Sequence, residues 1–481
     1  MKKKKRKLNE VKKMERKHLN ILSFEVCGFR NIVKTKIDLN KMTAIIGLNG
    51  YGKSNVISAI QFGIDFIQSG KKESYMNNHT EIPLLNKYSE TDYSFEMEAE
   101  YGEYRLKYGF SFAWRTDNQE PYIKDEHLLL KDKESKKFSS YIKRGQKIAK
   151  YKASPKGRCD SEVKIDKYKL LIDDITHKDE LFYVDVVKEI NSIKFYVEKH
   201  LDTKPSFYPQ FFKLDISNDL DILDLVYNIP SAINGMKNKY PDKYNILIDT
   251  FKQIFPTIED VEPVEQTAGG EKLIKIQEDL PIVYTEKYYT LFVKDKRLVQ
   301  YIKFDNLSDG TRRVFLALTF AVLADIYGYS IIAFEEPETS IHPSLLQTYL
   351  RVLDQLSGDC KIIFTSHSPY MIQYMPLDSI YIGLCCSCGM VDLRKIAKPK
   401  SLMIQASKND RTVGDLVFNY LSFSNANDML AEYLSKPLIK IEDDNCDDND
   451  EDDDWLAQFM NVDADDDETA DNDRSGVYEK D

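Results

Sequence analysis

Long apolar runs are missing from this chain of 481 residues. No stretch reaches the roughly 18 residues that a membrane-spanning helix needs, so no membrane partner is expected. The start, Met1-Lys2-Lys3-Lys4-Lys5-Arg6-Lys7, has no apolar segment behind it and does not read as a secretory leader. Cysteine is scarce: there are 7, scattered apart from Cys385, Cys386 and Cys388. That trio has neither a histidine nor a fourth cysteine at zinc spacing, so it reads as buried thiols in a reducing cytoplasm. A sustained heptad is also lacking, which excludes long coiled-coil arms. What is present is ordinary for a folded protein, with 42% hydrophobic and 12% aromatic residues. The length suggests roughly two to four domains.

Charge is missing from the body and concentrated at the ends. Of the net −11, residues 442–481 contribute −17 (19 acidic against 2 basic) and residues 1–20 contribute +8 (10 against 2), leaving −2 for 21–441. The division read from these shifts is a basic tail at 1–18, a first half-domain at 19–115, an inserted mainly helical block at 116–258, a second half-domain at 259–436, and an acidic tail at 437–481. The basic tail is either a solubilising segment or a contact for nucleic acid or an acidic surface. Within the acidic tail, Trp455-Leu456-Ala457-Gln458-Phe459-Met460 forms an apolar island able to dock as one or two helical turns. A plain solubility tail is the alternative.

Met42-Thr43-Ala44-Ile45-Ile46 is a short apolar run suited to a buried parallel strand. Gly47-Leu48-Asn49-Gly50-Tyr51-Gly52-Lys53-Ser54 follows, then Asn55-Val56-Ile57-Ser58 at helical spacing. Strand, glycine-rich loop and helix is the context of a phosphate-binding loop. Backbone N–H groups from Gly47 to Asn55 would cradle the phosphates of ATP. Lys53 would reach the β- and γ-phosphates, and the Ser54 hydroxyl would hold Mg²⁺.

Residues 92–114 alternate as two antiparallel strands turning at Gly102. From about 160 to 254 the pattern is helical, including Ile222, Leu223 and Val226. This block is expected either to carry partner or DNA specificity or to be a cap over the sheet. Strands are expected again at Lys272–Ile276, Tyr289–Val293 and Leu298–Tyr301. Ser308-Asp309-Gly310 then opens an apolar helix over 311–327, whose N-terminus points at an anion. Because the phosphate loop lies elsewhere, that anion is expected to be the γ-phosphate of ATP on another subunit. Ile331–Phe334 is a buried strand ending in Glu335-Glu336, where Glu335 suits the Mg²⁺ shell and Glu336 the general base. His367, at the tip of the strand Lys361–Thr365, is placed to touch the γ-phosphate. His342-Pro343 would face a partner subunit.

Taken together, these blocks resemble the ABC-type ATPase heads of the SMC, RecF and OLD group. The resemblance runs from about 20 to 420. It includes Gly28-Phe29-Arg30-Asn31, the phosphate loop, Leu307-Ser308-Asp309-Gly310-Thr311 as signature, and Glu335-Glu336-Pro337-Glu338 with Ile341-His342-Pro343 as Walker B and D-loop. It extends to Thr365-Ser366-His367-Ser368-Pro369 as switch and Val413-Gly414-Asp415-Leu416 as a closing helix. The implied fold is α/β: a P-loop NTPase sheet with an antiparallel β subdomain, interrupted by the inserted block. The implied assembly is a homo-oligomer, at least a head-to-tail dimer sandwiching ATP. The family's Q-loop glutamine has no assignable counterpart.

OLD nucleases carry a Toprim domain after the head, and no well-placed Glu plus Asp-x-Asp set on strands is expected here before the acidic tail. The layout is similar to two-gene antiphage systems such as Septu, whose ATPase holds a separate HNH nuclease; PARIS systems, with a Toprim partner, share it. The resemblance therefore implies an ATPase that senses and controls a partner nuclease, with DNA bound directly or through that partner. A RecF-like repair ATPase binding DNA directly is the alternative. A transporter subunit fits poorly, because of the long insert and the Glu335-Glu336-Pro337-Glu338 flavour.

Overall fold

The computed structural model describes residues 19–77, 92–115, 119–132, 135, 137–178, 180–199, 201, 203–207, 212–214, 228–267, 282–284, 287–339, 341–385 and 389–438. The chain divides into two units, Met1–Ile441 and Glu442–Asp481, and every described residue belongs to the first.

Most strands join one 14-stranded sheet. In chain order they are β1 (Asn20–Phe29), β2 (Ile32–Asp38), β3 (Met42–Ile46), β4 (Tyr93–Tyr101), β5 (Tyr104–Ala113), β6 (Tyr122–Asp132), β7 (Ser139–Arg144), β8 (Ile148–Lys152), β9 (Cys159–Lys164), β10 (Phe195–Glu198), β16 (Ile331–Glu335), β17 (Lys361–Ser366), β18 (Ile380–Cys385) and β19 (Val391–Lys395). Their spatial order is β10-β16-β17-β3-β18-β19-β2-β1-β4-β5-β6-β7-β8-β9. From β10 to β18 all pairings are parallel. From β2 to β9 they are antiparallel. Two small sheets stand apart, β11 (Phe212–Leu214) with β13 (Ile282–Tyr284), and β12 (Ile258–Thr267) with β14 (Lys287–Asp295) and β15 (Ile302–Lys303).

The sequence patterns explain the two halves. In the parallel strands, neighbouring residues face opposite cores: Ala44, Ile332, Phe334, Ile362 and Phe364 join one, while Ile45, Ile331, Ala333 and Ile363 join the other. Strands buried on both faces read as unbroken apolar runs. In β4 every second residue, from Tyr93 to Ala99, is buried, because only one face of this half is covered.

Helices pack on both faces. α1 (Lys53–Gln68) sits against the second core, where Phe66 stacks on Phe110 and Phe112 at 4.8 and 5.0 Å. α2 (Ile229–Lys239), α3 (Pro241–Ile254), α4 (Asp309–Tyr327) and α5 (Pro343–Leu356) build the first. α4 starts at a serine N-cap, Ser308, which accepts from the Thr311 N–H. It ends at Gly328 with φ 67°, the left-handed stop that glycine takes without strain.

Three expectations are corrected. The block 116–258, read as mainly helical with only short strand candidates such as Tyr141-Ile142 over 121–150, opens with four strands: β6–β9 extend the antiparallel sheet, because alternation persists beneath a polar composition. β10 lies within the stretch read as helical and forms the edge of the parallel sheet, since Tyr196 and the flanking apolar residues pack beside β16. Leu298–Tyr301 is not a strand; Leu298, Val299 and Tyr301 are exposed on the turn between β14 and β15. The expected helix at Ile222–Val226 and the expected strand at Lys272–Ile276 lie outside the described residues.

Candidate functional site

The glycine-rich loop leaves β3 at Gly47, whose N–H donates to the Ser366 carbonyl at 3.3 Å, and passes into α1 at Lys53. Gly50 and Gly52 have φ of 81° and 67°. At Gly52 a side chain is excluded twice, since a Cβ would also lie 2.6 Å from Val391 Cγ2. Leu48, Asn49 and Tyr51 occupy the turn, and Tyr51 N–H donates to the Leu48 carbonyl at 3.3 Å. Lys53 is buried and folds back over the loop, donating to the carbonyls of Gly47 and Leu48 at 3.0 and 2.9 Å. Burial pushes its amine down, while Glu336, Glu338 and Glu335 pull it back up.

Ser54, the second residue of α1, donates its hydroxyl to Glu335 Oε2 at 3.0 Å. This contact joins the loop to the tip of β16. Glu336, one residue beyond, has φ 49°, a left-handed conformation that costs a non-glycine residue on the order of 1–3 kcal/mol. It is fixed there by its N–H, which donates to the Thr365 carbonyl at 2.9 Å. The turn aims its carboxylate at the tip of β17, where Glu336 Oε1 lies 2.8 Å from His367 Nδ1. Both side chains are partly exposed, and so can meet a ligand.

Asn55 ties the loop helix to the β1–β2 turn. Its amide donates to Asn31 Oδ1 at 2.7 Å, and its Oδ1 accepts from Arg30 at 2.9 Å. Arg30 and Asn31 carried the resemblance in the sequence; their meeting with Asn55 was not readable from it. Also missed was Glu338, which accepts from the Ser366 hydroxyl behind the Glu336–His367 pair. Burial pushes its carboxyl up, opposed by that hydrogen bond. Gly414 was foreseen only as part of a closing helix: a Cβ there would sit 2.1 Å from the Pro369 carbonyl oxygen, so the helix Val413–Leu421 presses on the backbone two residues after His367.

The segment expected to be the signature makes its side-chain hydrogen bonds outside this cluster. Asp309 accepts from Thr203 at 2.8 Å and from Arg313 at 2.7 Å. Burial works against its charge, but those donors hold its carboxyl below the usual range. The side-chain hydrogen bonds of Ser308 and Asp309 run to Thr203, Thr311, Arg312 and Arg313; among the described residues none reaches 47–55. Gly310 lies in the first turn of α4. His342 caps α5, with Nδ1 accepting from the Ser344 N–H at 3.3 Å. Cys385 is half-buried with its thiol pushed up by burial, and Cys386 and Cys388 lie outside the described residues.

The donor set fits a phosphate chain with a hard divalent cation. A helix N-terminus, a lysine, a serine hydroxyl and a carboxylate oxygen converge. Magnesium prefers such oxygen donors, supplemented by phosphates and waters, over an all-protein cage.

A glycine-rich loop between a parallel strand and a helix, with two acids at the tip of another parallel strand, defines an α/β head of the P-loop class. Residues 42–372, more than half of the chain, match the family described as "AAA domain, putative AbiEii toxin, Type IV TA system", and the chain belongs to that family. Among solved structures it is similar to the SMC head domain from Thermotoga maritima, at 12% identity over 78% of this chain and 99% of that one, with a TM-score of 0.37. It is similar to a Smc head domain bound to the C-terminal domain of ScpA derived from Pyrococcus furiosus, at 11% over 81% and 100%, TM-score 0.40. A third is the recombination mediator protein RecF-ATPrS, at 13% over 78% and 98%, TM-score 0.36. No curated protein matches the sequence. No described helix is long and apolar enough to cross a membrane.

Proposed function

We propose that this chain is an ATP-hydrolysing subunit that works as a head-to-tail assembly and controls a separate nuclease in cytoplasmic antiphage defence. One observation carries the hydrolytic reading: Ser54 meets Glu335 at 3.0 Å while Glu336 meets His367 at 2.8 Å, both at the mouth of the glycine-rich loop. Family membership supports the ATPase part.

Lys53 exchanges its two carbonyl partners for the β- and γ-phosphate oxygens, and the N–H groups from Gly47 to Asn55 hold the rest of the phosphate chain. Ser54 and Glu335 would hold Mg²⁺, which would supply neutralisation of the charge developing on the phosphates. Glu336 accepts a proton from the attacking water, and His367 orients that carboxylate and contacts the terminal phosphate. Ser308, Asp309 and Gly310, whose side-chain hydrogen bonds do not reach this chain's own loop, serve the nucleotide of a second copy. The partition into 19–115 and 259–436 as head halves, with 1–18 and 437–481 as tails, follows the same reading; 116–258 is not a separate insert, since it supplies β6–β10 to the head's sheet.

The defence role draws on the resemblance of the acidic pair, Pro337-Glu338 and His342-Pro343, to OLD-type heads, and of the layout to Septu systems. It predicts an HNH-type partner encoded beside this chain. Copurification with the neighbouring gene product, with ATPase and nuclease assays, tests it. Nucleotide-dependent cutting by the complex supports the proposal; turnover unaffected by Glu336→Gln, or a neighbour that is no nuclease, sinks the corresponding part.

A further inference from the structure

The distal end of the sheet carries a concentration of positive charge that the nucleotide site does not use. Residues 131–169 hold 14 Lys and Arg against 5 Asp and Glu, a net of +9, inside a body that is −2 over 21–441. They include β7, β8 and β9, and so form the open edge of the 14-stranded sheet.

Register places much of this charge on one face. Lys143 on β7 lies opposite Lys150 on β8, and Ile148 on β8 lies opposite Lys164 on β9. Directly opposed residues of antiparallel strands share a face, and like charges there destabilise the pair. Glu162 neutralises Lys150 at 2.8 Å. Lys143, Lys147, Lys152, Lys156, Arg158 and Lys164 have no carboxylate partner among the described residues. Both hairpin turns add to the field, one through Lys147 and the other through exposed Lys156 and Arg158. Tyr141 is half-buried beside the lysines, with Lys152 4.7 Å above its ring, whereas Tyr151 lies opposite buried Ile142 and faces the core.

We infer that this face binds the phosphate backbone of duplex nucleic acid. The uncompensated cations suit a polyanion. Beside the hairpin tips, Gly145-Gln146-Lys147 and Ser154-Pro155-Lys156-Gly157-Arg158, the one large exposed apolar side chain is Ile148, too small a wedge for a lipid surface. Spread across three strands, the charge suits an outer duplex surface better than a groove threading a single strand. These strands hold none of the residues assigned to the nucleotide site, so the inference stands or falls independently of hydrolysis.

The test uses full-length protein and a short fluorescent duplex DNA titrated between about 50 and 200 mM salt. The wild type binds with a steep negative salt slope. Combined Lys143→Glu, Lys147→Glu, Lys152→Glu and Lys164→Glu weakens binding at least about 30-fold and flattens the slope by about 2 to 4. A charge-neutral Lys→Gln set gives a smaller loss in the same direction, and ATP binding stays unchanged in both, which guards against misfolding. Affinity retained by the charge-reversed protein overturns the inference and assigns binding elsewhere, such as the basic tail. So does wild-type protein that ignores DNA but binds phosphatidylcholine vesicles carrying phosphatidylserine.

Discussion

From β10 to β18 the sheet is parallel, buried on both faces, and ends in Glu335, Glu336 and His367. From β2 to β9 it is antiparallel, covered on one face, and carries charge on the other. The same ladder therefore serves two purposes. Where helices cover both faces, side chains reach solvent only at strand tips, and polar groups gather there. Where one face is open, alternate residues along a strand are free to be charged without disturbing the core. Substitutions in one half should accordingly leave the other half's behaviour intact.

The largest separation should come from Lys53→Ala. Removing a buried, charge-bearing donor to phosphate costs about 3 kcal/mol, roughly a hundred-fold in ATP affinity by calorimetry, while binding to duplex DNA is unchanged. Glu336→Gln should leave ATP binding intact but slow steady-state turnover by about 10²–10⁴-fold, and it should trap associated heads visible by gel filtration. Gly414→Ala should lower thermal stability by about 1–3 kcal/mol, because the added methyl meets the Pro369 carbonyl.

The smallest effect belongs to the open half. Burial opposes charge on His127, but Asp125 at 3.1 Å and Glu96 at 3.3 Å hold its pKa up to about 9, and the His127 contact is the main cause of Glu96 being drawn down to about 2. The histidine's contribution is complete below its unfolded value, 6.5, and is lost as pH rises through about 9. The Glu96 contribution is complete above 4.5 and lost as pH falls towards about 2. The pair should therefore add most between those unfolded values. Both groups are partly exposed, so the loss by pH 9 should be only about 1 kcal/mol. His127→Gln should flatten that slope in thermal melts while leaving turnover unchanged.

Legibility in the sequence followed the same divide. The runs Met42–Ile46 and Ile331–Phe334 announced two-sided burial, and alternation in 93–112 announced one-sided burial. The glycine-rich loop and the acidic pair stood out because their chemistry depends on local spacing. Three features depend instead on distant contacts. β10 is short and gains its identity only beside β16. Glu336 enters a left-handed conformation that no glycine signals. Glu338 and Asn55 matter through Ser366 and the Arg30–Asn31 turn, which lie far along the chain.

The central claim is that a working site needs two copies, one supplying Lys53, Glu336 and His367 and the other Ser308–Gly310. Mixing Lys53→Ala protein with Ser308→Arg protein and measuring ATP turnover tests it most directly. Each variant alone should be inactive, and the mixture should recover activity, because one of its two interfaces pairs an intact loop with an intact signature. Full turnover by Ser308→Arg alone, or a mixture as inactive as its parts, would contradict the account.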